Sequence, residues 1–386
     1  MLCKVKNVSS PYYYNYYTMT KTKRYLALDV LRGITIAGMI VVNTPGSWSY
    51  MYAPLRHAAW HGCTPTDLVF PFFLFVMGVS MFFSFAKYGD GLNAKSLLKI
   101  GKRSLLIFAI GLFLNSFPQW QTDYSTLRIM GVLQRIAVVY ALSAIIILLF
   151  RKYALVLMGL VLLLGHWAAL YFFGGDSLYA LEGNATIAID KFFLGEAHMY
   201  KGFGIPFDPE GLFSSLSSVV TVLLGYAVGV MIKESTTQKL PLRLLMLGAI
   251  LVGLGLLWNM ILPINKPLWT SSYVVYTAGL AMLLLCLLVW LVDIKGYKKW
   301  TSFFVVFGMN PLFIFAFSIL WIKILRLITI TTAQGETMTG YKALYECVFV
   351  PMAGHMNGSL FFALVHIVFF WFVGWVLYRN KIFIKV

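Results

Sequence analysis

The sequence has few charged residues and few cysteines. Asp, Glu, Lys and Arg make up only 12% of its 386 residues, about half of their share in a soluble globular protein. Its four cysteines form no Cys-x-x-Cys pair, which argues against a zinc site or a dense disulfide framework. A Gly-rich phosphate loop, a zinc-protease helix motif and a serine nucleophile elbow are also missing. We therefore expect neither redox nor metal chemistry.

Apolar residues dominate instead. They form 60% of the chain, and the mean hydropathy is +0.79, values typical of a polytopic membrane protein. The formal net charge is +17, from 31 basic and 14 acidic residues. In a membrane protein such an excess more often reflects loop topology than a polyanionic partner. We therefore expect the lipid bilayer, and no nucleic acid, as a partner.

Ten apolar windows predict an all-α bundle of about ten transmembrane helices, since about 20 helical residues cross a hydrocarbon core of roughly 30 Å. The windows are 25–44, 66–86, 97–117, 128–150, 153–173, 212–232, 241–262, 270–292, 301–325 and 358–379. A shorter apolar stretch, 343–353, is expected to be interfacial or re-entrant. Residues 1–24 are basic and lack a small-residue cleavage site, so they predict a cytoplasmic tail rather than a cleaved signal peptide. Residues 25–380 are expected to form one integral-membrane domain.

The basic residues predict the orientation of the bundle. If the N-terminus is cytoplasmic, ten spans leave few of them outside, and two lie within spans. Those outside are Arg56, Arg128, Lys191, Lys201, Lys266, Lys323, Arg326 and Lys342. The positive-inside rule therefore predicts that both termini are cytoplasmic. Acidic residues show the opposite distribution, with only Asp90, Glu234 and Asp293 clearly inside, so the function is expected on the outer face.

The loop between the first two windows is the segment richest in chemistry. Residues 43–71, NTPGSWSYMYAPLRHAAWHGCTPTDLVFP, contain Asn43, His57 and Asp67 among several aromatic side chains. Each has an ordinary explanation too. Asp67 opens a helix and can serve as its cap, a loop histidine is commonly a solvated surface group, and Trp48 and Trp60 are typical of a membrane interface.

Polar groups within the windows are a second set of candidates. Asp29 and Arg32 lie three residues apart on one helical face and can pair, whereas Arg135 needs a partner inside the bundle. A pair that only fixes helix packing explains Asp29 and Arg32 equally well. Asn310-Pro311 breaks the ninth window, and the freed backbone groups must face a cavity or a neighbouring helix. Composition and topology alone do not separate an enzyme from a transporter.

Seven motifs follow one another in the order of a known family. They are LDVLRGITIAGMIVVN, RHAAWHGCTPTDLVFPFFLFVMG, GVLQRIAVVYAL, AIDKFFLGEAHMY, FDPEGLFSSLSSVVTVLLG, LPINKPLWTSSYVVYTAG and GMNPLFIF. Over about residues 25–380 the chain thus resembles the heparan-alpha-glucosaminide N-acetyltransferase family. The resemblance implies a multispanning enzyme that uses cytosolic acetyl-CoA to acetylate the amine of a terminal glucosamine across the membrane. It further implies a homodimer and a bacterial, inner-membrane form without the non-cytoplasmic N-terminal domain of lysosomal members.

The resemblance also implies roles for individual residues. His57 matches the family's active-site histidine, Asn43 its companion, and Asp67 the acidic residue that opens the second helix. Asp208 and Glu210 match the FDPEG turn. His57 would take the amine proton, and Asn43 would donate its amide N–H to the developing oxyanion. A two-step route, in which His57 first accepts the acetyl group, is the alternative.

Acetyl-CoA is the expected co-substrate, an amino sugar or glycan the expected acceptor, and no metal is expected. The predicted donor site uses basic side chains and the helix break: Arg32, Arg135, Lys99, Lys102, Arg103 and Asn310. The predicted acceptor site, opening to the periplasm, uses Trp48, Trp60, Asp190, His198, Asp208 and Glu210. Ordinary positive-inside charge also explains the α-helical Lys and Arg cluster at 99–103. An amino-sugar permease and an O-acetyltransferase of a cell-surface glycan are the alternative functions.

Overall fold

A computed structural model describes residues 25–85, 91–118, 124–150, 152–175, 177–331, 335 and 337–384. The regular secondary structure of this part of the chain is helical apart from one short pair of antiparallel strands, in which Ile330 pairs with Met338. The helices are α1 Leu26–Asn43, α2 Pro65–Phe85, α3 Ala94–Ser116, α4 Val132–Leu149, α5 Lys152–Phe172, α6 Ala185–Leu194, α7 Leu212–Glu234, α8 Leu240–Trp258, α9 Ser271–Leu288, α10 Thr301–Met309, α11 Pro311–Leu327, α12 Gly340–Leu344 and α13 Val350–Arg379. The strands are β1 Thr329–Thr331 and β2 Thr337–Thr339.

The predicted all-α polytopic membrane fold is confirmed. Within the described residues, eight helices are long and apolar enough to cross a membrane, or nine if α10 and α11 form one bent span. All ten predicted windows coincide with helices, α10 and α11 together forming the ninth. The third window lies on α3, which is 23 residues long but carries four basic residues near its start and is not among the eight. The predicted tail, 1–24, lies outside the described residues.

Close helix packing at glycines builds the centre of the bundle. A Cβ on Gly78 of α2 would lie 2.0 Å from the Val222 carbonyl oxygen of α7, and one on Gly225 of α7 would lie 2.0 Å from the Phe75 oxygen. A Cβ on Gly33 of α1 would lie 1.8 Å from the Phe304 oxygen of α10. Small residues let backbones approach in this way, and van der Waals packing then holds helices together within lipid.

The predicted break at Asn310-Pro311 is present as an 83° bend between α10 and α11. Asn310 is fully buried. Its Nδ2 donates to the Ile382 carbonyl over 3.0 Å, and its Oδ1 accepts from the Ile384 N–H over 2.7 Å. Neighbouring chain, rather than an open cavity, therefore satisfies polar groups at the break.

The stretch expected to be interfacial or re-entrant, 343–353, is helical. It runs from α12 through the wide turn Tyr345–Phe349 into the start of α13, where Gly354 takes a φ of +72°. The chain then folds back on itself. The Tyr345 hydroxyl donates to the His355 carbonyl over 2.9 Å, and a Cβ on Gly358 would lie 2.7 Å from the Phe349 oxygen.

Candidate active site

The loop between α1 and α2 is fixed at its start by α13. The Gly46 N–H donates to the Ser359 carbonyl over 3.2 Å, and the Ser47 N–H donates to the Ser359 hydroxyl over 3.1 Å. Further along, the Arg56 guanidinium donates to the Met51 carbonyl over 2.9 Å. These bonds hold an otherwise irregular loop in one shape just before His57.

The end of the same loop is fixed by the turn 262–269, which joins α8 to α9. The Gly62 N–H donates to the Ile264 carbonyl over 2.7 Å, and Gly62 takes a φ of +104°, which favours glycine. Asn265, fully buried, donates from Nδ2 to the Trp60 carbonyl over 2.9 Å and accepts from the Leu268 N–H over 2.7 Å. Asn265 thus shapes its own turn and docks it to the loop.

The two anchors bring His57 against Asp67. His57 Nδ1 lies 2.6 Å from Asp67 Oδ1, and the side chains are 44% and 2% exposed, respectively. The other carboxylate oxygen, Oδ2, accepts from the N–H groups of Ala58 and Thr64 and from the Thr64 hydroxyl, each over 3.0 Å. Asp67 is therefore a saturated, buried acceptor that orients an accessible imidazole.

Lys266, on the docked turn, completes this group. Its Nζ lies 3.4 Å from Asp67 Oδ1 and 3.2 Å from His57 Nδ1, and its side chain is 19% exposed. Burial lowers the pKa of Lys266, and the Asp67 carboxylate opposes that shift. We call His57, Asp67 and Lys266 the loop triad.

The distances in the triad determine the tautomer of His57. Nδ1 either donates to Asp67, at 2.6 Å, or accepts from Lys266, at 3.2 Å. A short bond to a carboxylate is the stronger of the two, so Nδ1 carries the hydrogen. Within the described part of the chain, Nε2 has no hydrogen-bond partner. Its lone pair is therefore free to take a proton or to attack a carbonyl carbon.

Asn43 and the two predicted tryptophans lie around the loop. Asn43 ends α1 with an exposed side chain, and the described residues include no hydrogen bond between it and His57. Trp48 is 55% exposed. Trp60 is half-buried, donates from Nε1 to the Tyr179 carbonyl over 2.7 Å and contacts the edge of Phe207. Substrate-related roles for these three residues stay predictions.

Asp208 and Glu210, predicted to bind a cationic sugar, both pair with Arg128. Arg128 donates to the two oxygens of the fully buried Asp208 over 2.9 and 2.7 Å and to Glu210 over 2.6 Å, and its guanidinium lies 4.6 Å from the centre of the Tyr200 ring. Burial alone lowers the pKa of Arg128, but the bonds to Asp208 and the charge of Glu210 raise it overall. His198, also predicted to bind the acceptor, donates from Nδ1 to the Leu127 carbonyl over 2.7 Å.

Asp190 and Arg135 meet at the start of α7. Asp190 Oδ1 accepts from the Phe213 N–H over 2.9 Å, and burial raises the pKa of Asp190 to about 6. Arg135 is fully buried, donates to the Ser214 hydroxyl and lies 4.9 Å from the centre of the Trp269 ring. The structure thus places Arg135, predicted to hold acetyl-CoA, beside residues predicted to hold the acceptor.

The remaining predicted donor residues lie on α1 and α3. Lys99 and Lys102 are exposed, whereas Arg103 lies 4.6 Å from the centre of the Tyr140 ring. Arg32 donates to the Ser80 hydroxyl over 2.7 Å and lies 3.5 Å from Asp29 Oδ1, so the expected pair is present. Among the described residues, no cluster of His, Cys, Asp or Glu is suited to a metal ion.

No sequence pattern predicts an individual role for Lys266, Asn265 or Arg128. Lys266 and Asn265 lie in the quoted motif LPINKPLW, which was a signal that the turn matters. The pairing of that turn with a loop 200 residues earlier cannot be read from either segment alone. Arg128 is the first residue of the fourth window and is predicted to be an outer basic residue, and only the fold places it against the FDPEG turn.

Comparison with known proteins finds one matching family and two similar curated proteins. Residues 24–192 match a family described as "Heparan-alpha-glucosaminide N-acetyltransferase, catalytic". The human protein named heparan-alpha-glucosaminide N-acetyltransferase is 31% identical over 353 residues, which cover 76% of this chain and 52% of the human protein. The mouse protein of the same name is 28% identical over 353 residues, covering 77% and 53%.

The chain belongs to the heparan-alpha-glucosaminide N-acetyltransferase family. It spans about half of the length of the two curated relatives. The segment that matches the family's catalytic region contains His57, Asp67 and Asp190. Lys266 and Asp208 lie beyond that segment, so the fold completes the site with side chains from the second half of the chain.

Proposed function

We propose that this protein is a transmembrane acetyltransferase that uses cytosolic acetyl-CoA to acetylate the amine of a glucosamine-type acceptor at the periplasmic side of a bacterial inner membrane. The observation that carries the proposal is the contact of 2.6 Å between His57 and Asp67 in the first outer loop. The names of the human and mouse relatives support both the reaction and the acceptor class.

His57 acts as the general base in the proposed reaction. Its free Nε2 takes a proton from the acceptor amine as the nitrogen bonds to the thioester carbonyl carbon. The carbon–sulfur bond then breaks, and the departing thiolate receives the proton. Asp67 fixes the tautomer throughout, because its Oδ1 holds the hydrogen on Nδ1. The same free Nε2 would be the nucleophile in the two-step route.

Acetyl-CoA is proposed to approach from the cytoplasmic side. Lys99 and Lys102 are exposed on the first turns of α3, where ammonium groups can bind phosphates as point charges. Arg103 and Arg32 lie nearer the bundle, on α3 and α1. The Asn310 side chain is hydrogen-bonded to Ile382 and Ile384 of the C-terminal segment. Its proposed role is therefore to hold the bend between α10 and α11, which shapes the donor site.

The acceptor is proposed to enter from the outer side. Asp208 and Glu210 place two carboxylates beside Arg128, and carboxylates are the side chains that bind the ammonium group of an amino sugar. Asp190 lies close by, at the start of α7. The exposed ring of Trp48 is available to stack on a sugar face.

The test uses vesicles of uniform orientation that contain the purified protein. Labelled acetyl-CoA is supplied to the cytoplasmic face and glucosamine to the other face, and acetylated product is measured. His57→Ala is expected to lower the rate by at least about 100-fold, since general base catalysis contributes about 10²–10⁴-fold. His355→Ala is the matched control, because His355 is an exposed histidine of the outer side that stacks on Tyr50.

Other outcomes point to other functions. Uptake of labelled glucosamine without acetyl-CoA and without acetylated product would indicate a permease. Loss of the label after mild base would indicate an ester, and hence an O-acetyltransferase. Label retained on denatured protein, and absent in His57→Ala, would indicate the two-step route. Equal rates in wild type and His57→Ala would remove His57 from the mechanism.

A further inference from the structure

Lys266 is buried against a residue that must accept a proton. Its Nζ lies 3.2 Å from His57 Nδ1 and 3.4 Å from Asp67 Oδ1. The Lys266 side chain is 19% exposed and the His57 side chain 44%, and the ammonium contacts the imidazole at Nδ1 rather than at Nε2. A cation in contact with a candidate base needs an explanation.

The carboxylate of Asp67 alone would work against a base. A negative charge 2.6 Å from an imidazole favours its protonated form, and an imidazolium cannot take a proton from an amine. A positive charge 3.2 Å from the same ring opposes protonation. Asp67 therefore favours protonation of the His57 ring and Lys266 opposes it, while only Asp67 fixes the tautomer.

We propose that Lys266 is a positioning residue whose charge keeps His57 free of a proton in the resting site. The inference rests on the proposed function in one respect, the use of His57 as the base. During transfer, Nε2 of His57 takes the proton of the amine as the carbon–nitrogen bond forms. When the carbon–sulfur bond breaks, the charge of Lys266 favours release of that proton to the thiolate sulfur, and His57 returns to its neutral form.

The other ionisable groups near the triad do not replace this charge. Burial, together with Asp67, raises the pKa of the Cys63 thiol to about 12, so it is neutral. Burial lowers the pKa of His61, which lies 3.3 Å from Asn265. The Arg56 guanidinium is bonded to backbone carbonyls of its own loop. Glu210 adds a negative potential at Lys266. Among the described residues, Asp67 and Lys266 are the charged groups in contact with His57.

The first test is the pH profile of kcat/KM for acetyl transfer. Lys266→Met removes the charge and keeps the length of the side chain, so the acid limb is expected to move up by about one to two pH units. Lys266→Arg keeps the charge, and its acid limb is expected to stay near that of wild type even where its rate is lower. Lys201→Met, at an exposed outer lysine, is the matched control and is expected to behave as wild type.

The second test reads the proton on His57 without acetyl transfer. Diethylpyrocarbonate reacts with neutral imidazole, and peptide mass spectrometry measures its addition to His57 as a function of pH. The modification curve of Lys266→Met is expected to move up by the same amount as the acid limb. Lys266→Gln serves as a second neutral variant if Lys266→Met does not fold, as judged by its elution as a single species in detergent.

The two tests separate the two proposals. A shifted modification curve in a protein that makes no acetylated product would refute the proposed function and leave the inference on Lys266 standing. Curves and acid limbs that coincide in wild type, Lys266→Met and Lys266→Gln would overturn the inference, whatever the rates. A fall in rate of equal size in the Met and Arg variants, with no shift, would show a purely structural role.

Discussion

At the scale of single residues, Asp67 is held more completely than the histidine it orients. Oδ2 accepts three hydrogen bonds, from Ala58 and Thr64, and Oδ1 faces both His57 and Lys266. The Tyr273 hydroxyl also donates to the backbone carbonyl of Asp67, over 2.6 Å. A carboxylate fixed in this way can present only one oxygen to the imidazole.

Asp67→Asn is expected to abolish the base without changing the size of the side chain. The donors at Oδ2 require the amide oxygen there, so the amide N–H₂ must face His57. An N–H donor beside Nδ1 moves the imidazole hydrogen to Nε2, which removes the lone pair. We expect kcat/KM for acetyl transfer to fall by about 10²–10⁴-fold, against no change for Glu182→Gln, an exposed carboxylate. A fall below tenfold would contradict this geometry.

Asp190 gives the protein a dependence of stability on pH. Burial raises the pKa of Asp190 from 3.8 to about 6 in the folded state, so the folded protein binds this proton more tightly than the unfolded protein does. The contribution of Asp190 to stability is therefore intact below pH 3.8 and is lost as the pH rises towards 6. Above pH 6 the loss is constant, at about 3 kcal/mol.

Asp190→Asn is expected to remove this part of the pH dependence. The amide oxygen can still accept from the Phe213 N–H, and the variant has no carboxylate to ionise. In detergent at pH 7, the variant is expected to melt at a higher temperature than wild type. At pH 4 this difference is expected to be smaller. Glu182→Gln again supplies the control. A difference from wild type that stays the same at both values would show that Asp190 ionises as an exposed carboxylate does.

At the scale of elements, the contact of α2 with α7 depends on Gly78 of α2 and Gly225 of α7, each of which packs against the backbone of the other helix. Gly78→Ala would place a methyl group 2.0 Å from the Val222 oxygen, so the helices must separate. Overpacking of this kind costs about 1–3 kcal/mol. We expect a lower melting temperature in detergent and, because α2 carries Asp67, a lower transfer rate. Gly253→Ala on α8, where a Cβ meets nothing within 4 Å, should have no effect.

The helices of this protein are easier to predict from its sequence than the contacts between them. Apolar windows found the helices, because twenty residues without charge have few alternatives to a span, and proline after Asn310 indicated the bend. The pairing of His57 with Asp67 lay within one loop and one helix start, and the family resemblance singled out both residues. Lys266 and Arg128 cannot be singled out from the sequence, because a lysine or arginine at or beyond the end of a predicted helix is a weak signal until the fold shows its partner.

At the scale of the whole molecule, the charge distribution and the chemistry agree. The basic excess lies on the predicted cytoplasmic side, where an anionic co-substrate is proposed to bind, and carboxylates are concentrated on the predicted outer side. The positive-inside rule alone accounts for the first half of this asymmetry. The concentration of carboxylates has a local explanation in the structure, since Asp67, Asp190 and Asp208 are all buried and hydrogen-bonded rather than solvated.

The docked turn 262–269 also has a consequence for biosynthesis. His57 lies in the loop between α1 and α2, but Asn265 and Lys266 follow α8 and Ser359 lies on α13, so both anchors of the loop are synthesised long after the loop itself. A ribosome-bound chain with α1 to α7 inserted would therefore carry His57 and Asp67 without Lys266. Because these two anchors bring His57 against Asp67, the site would form only once α8, the turn after it and α13 are all in place.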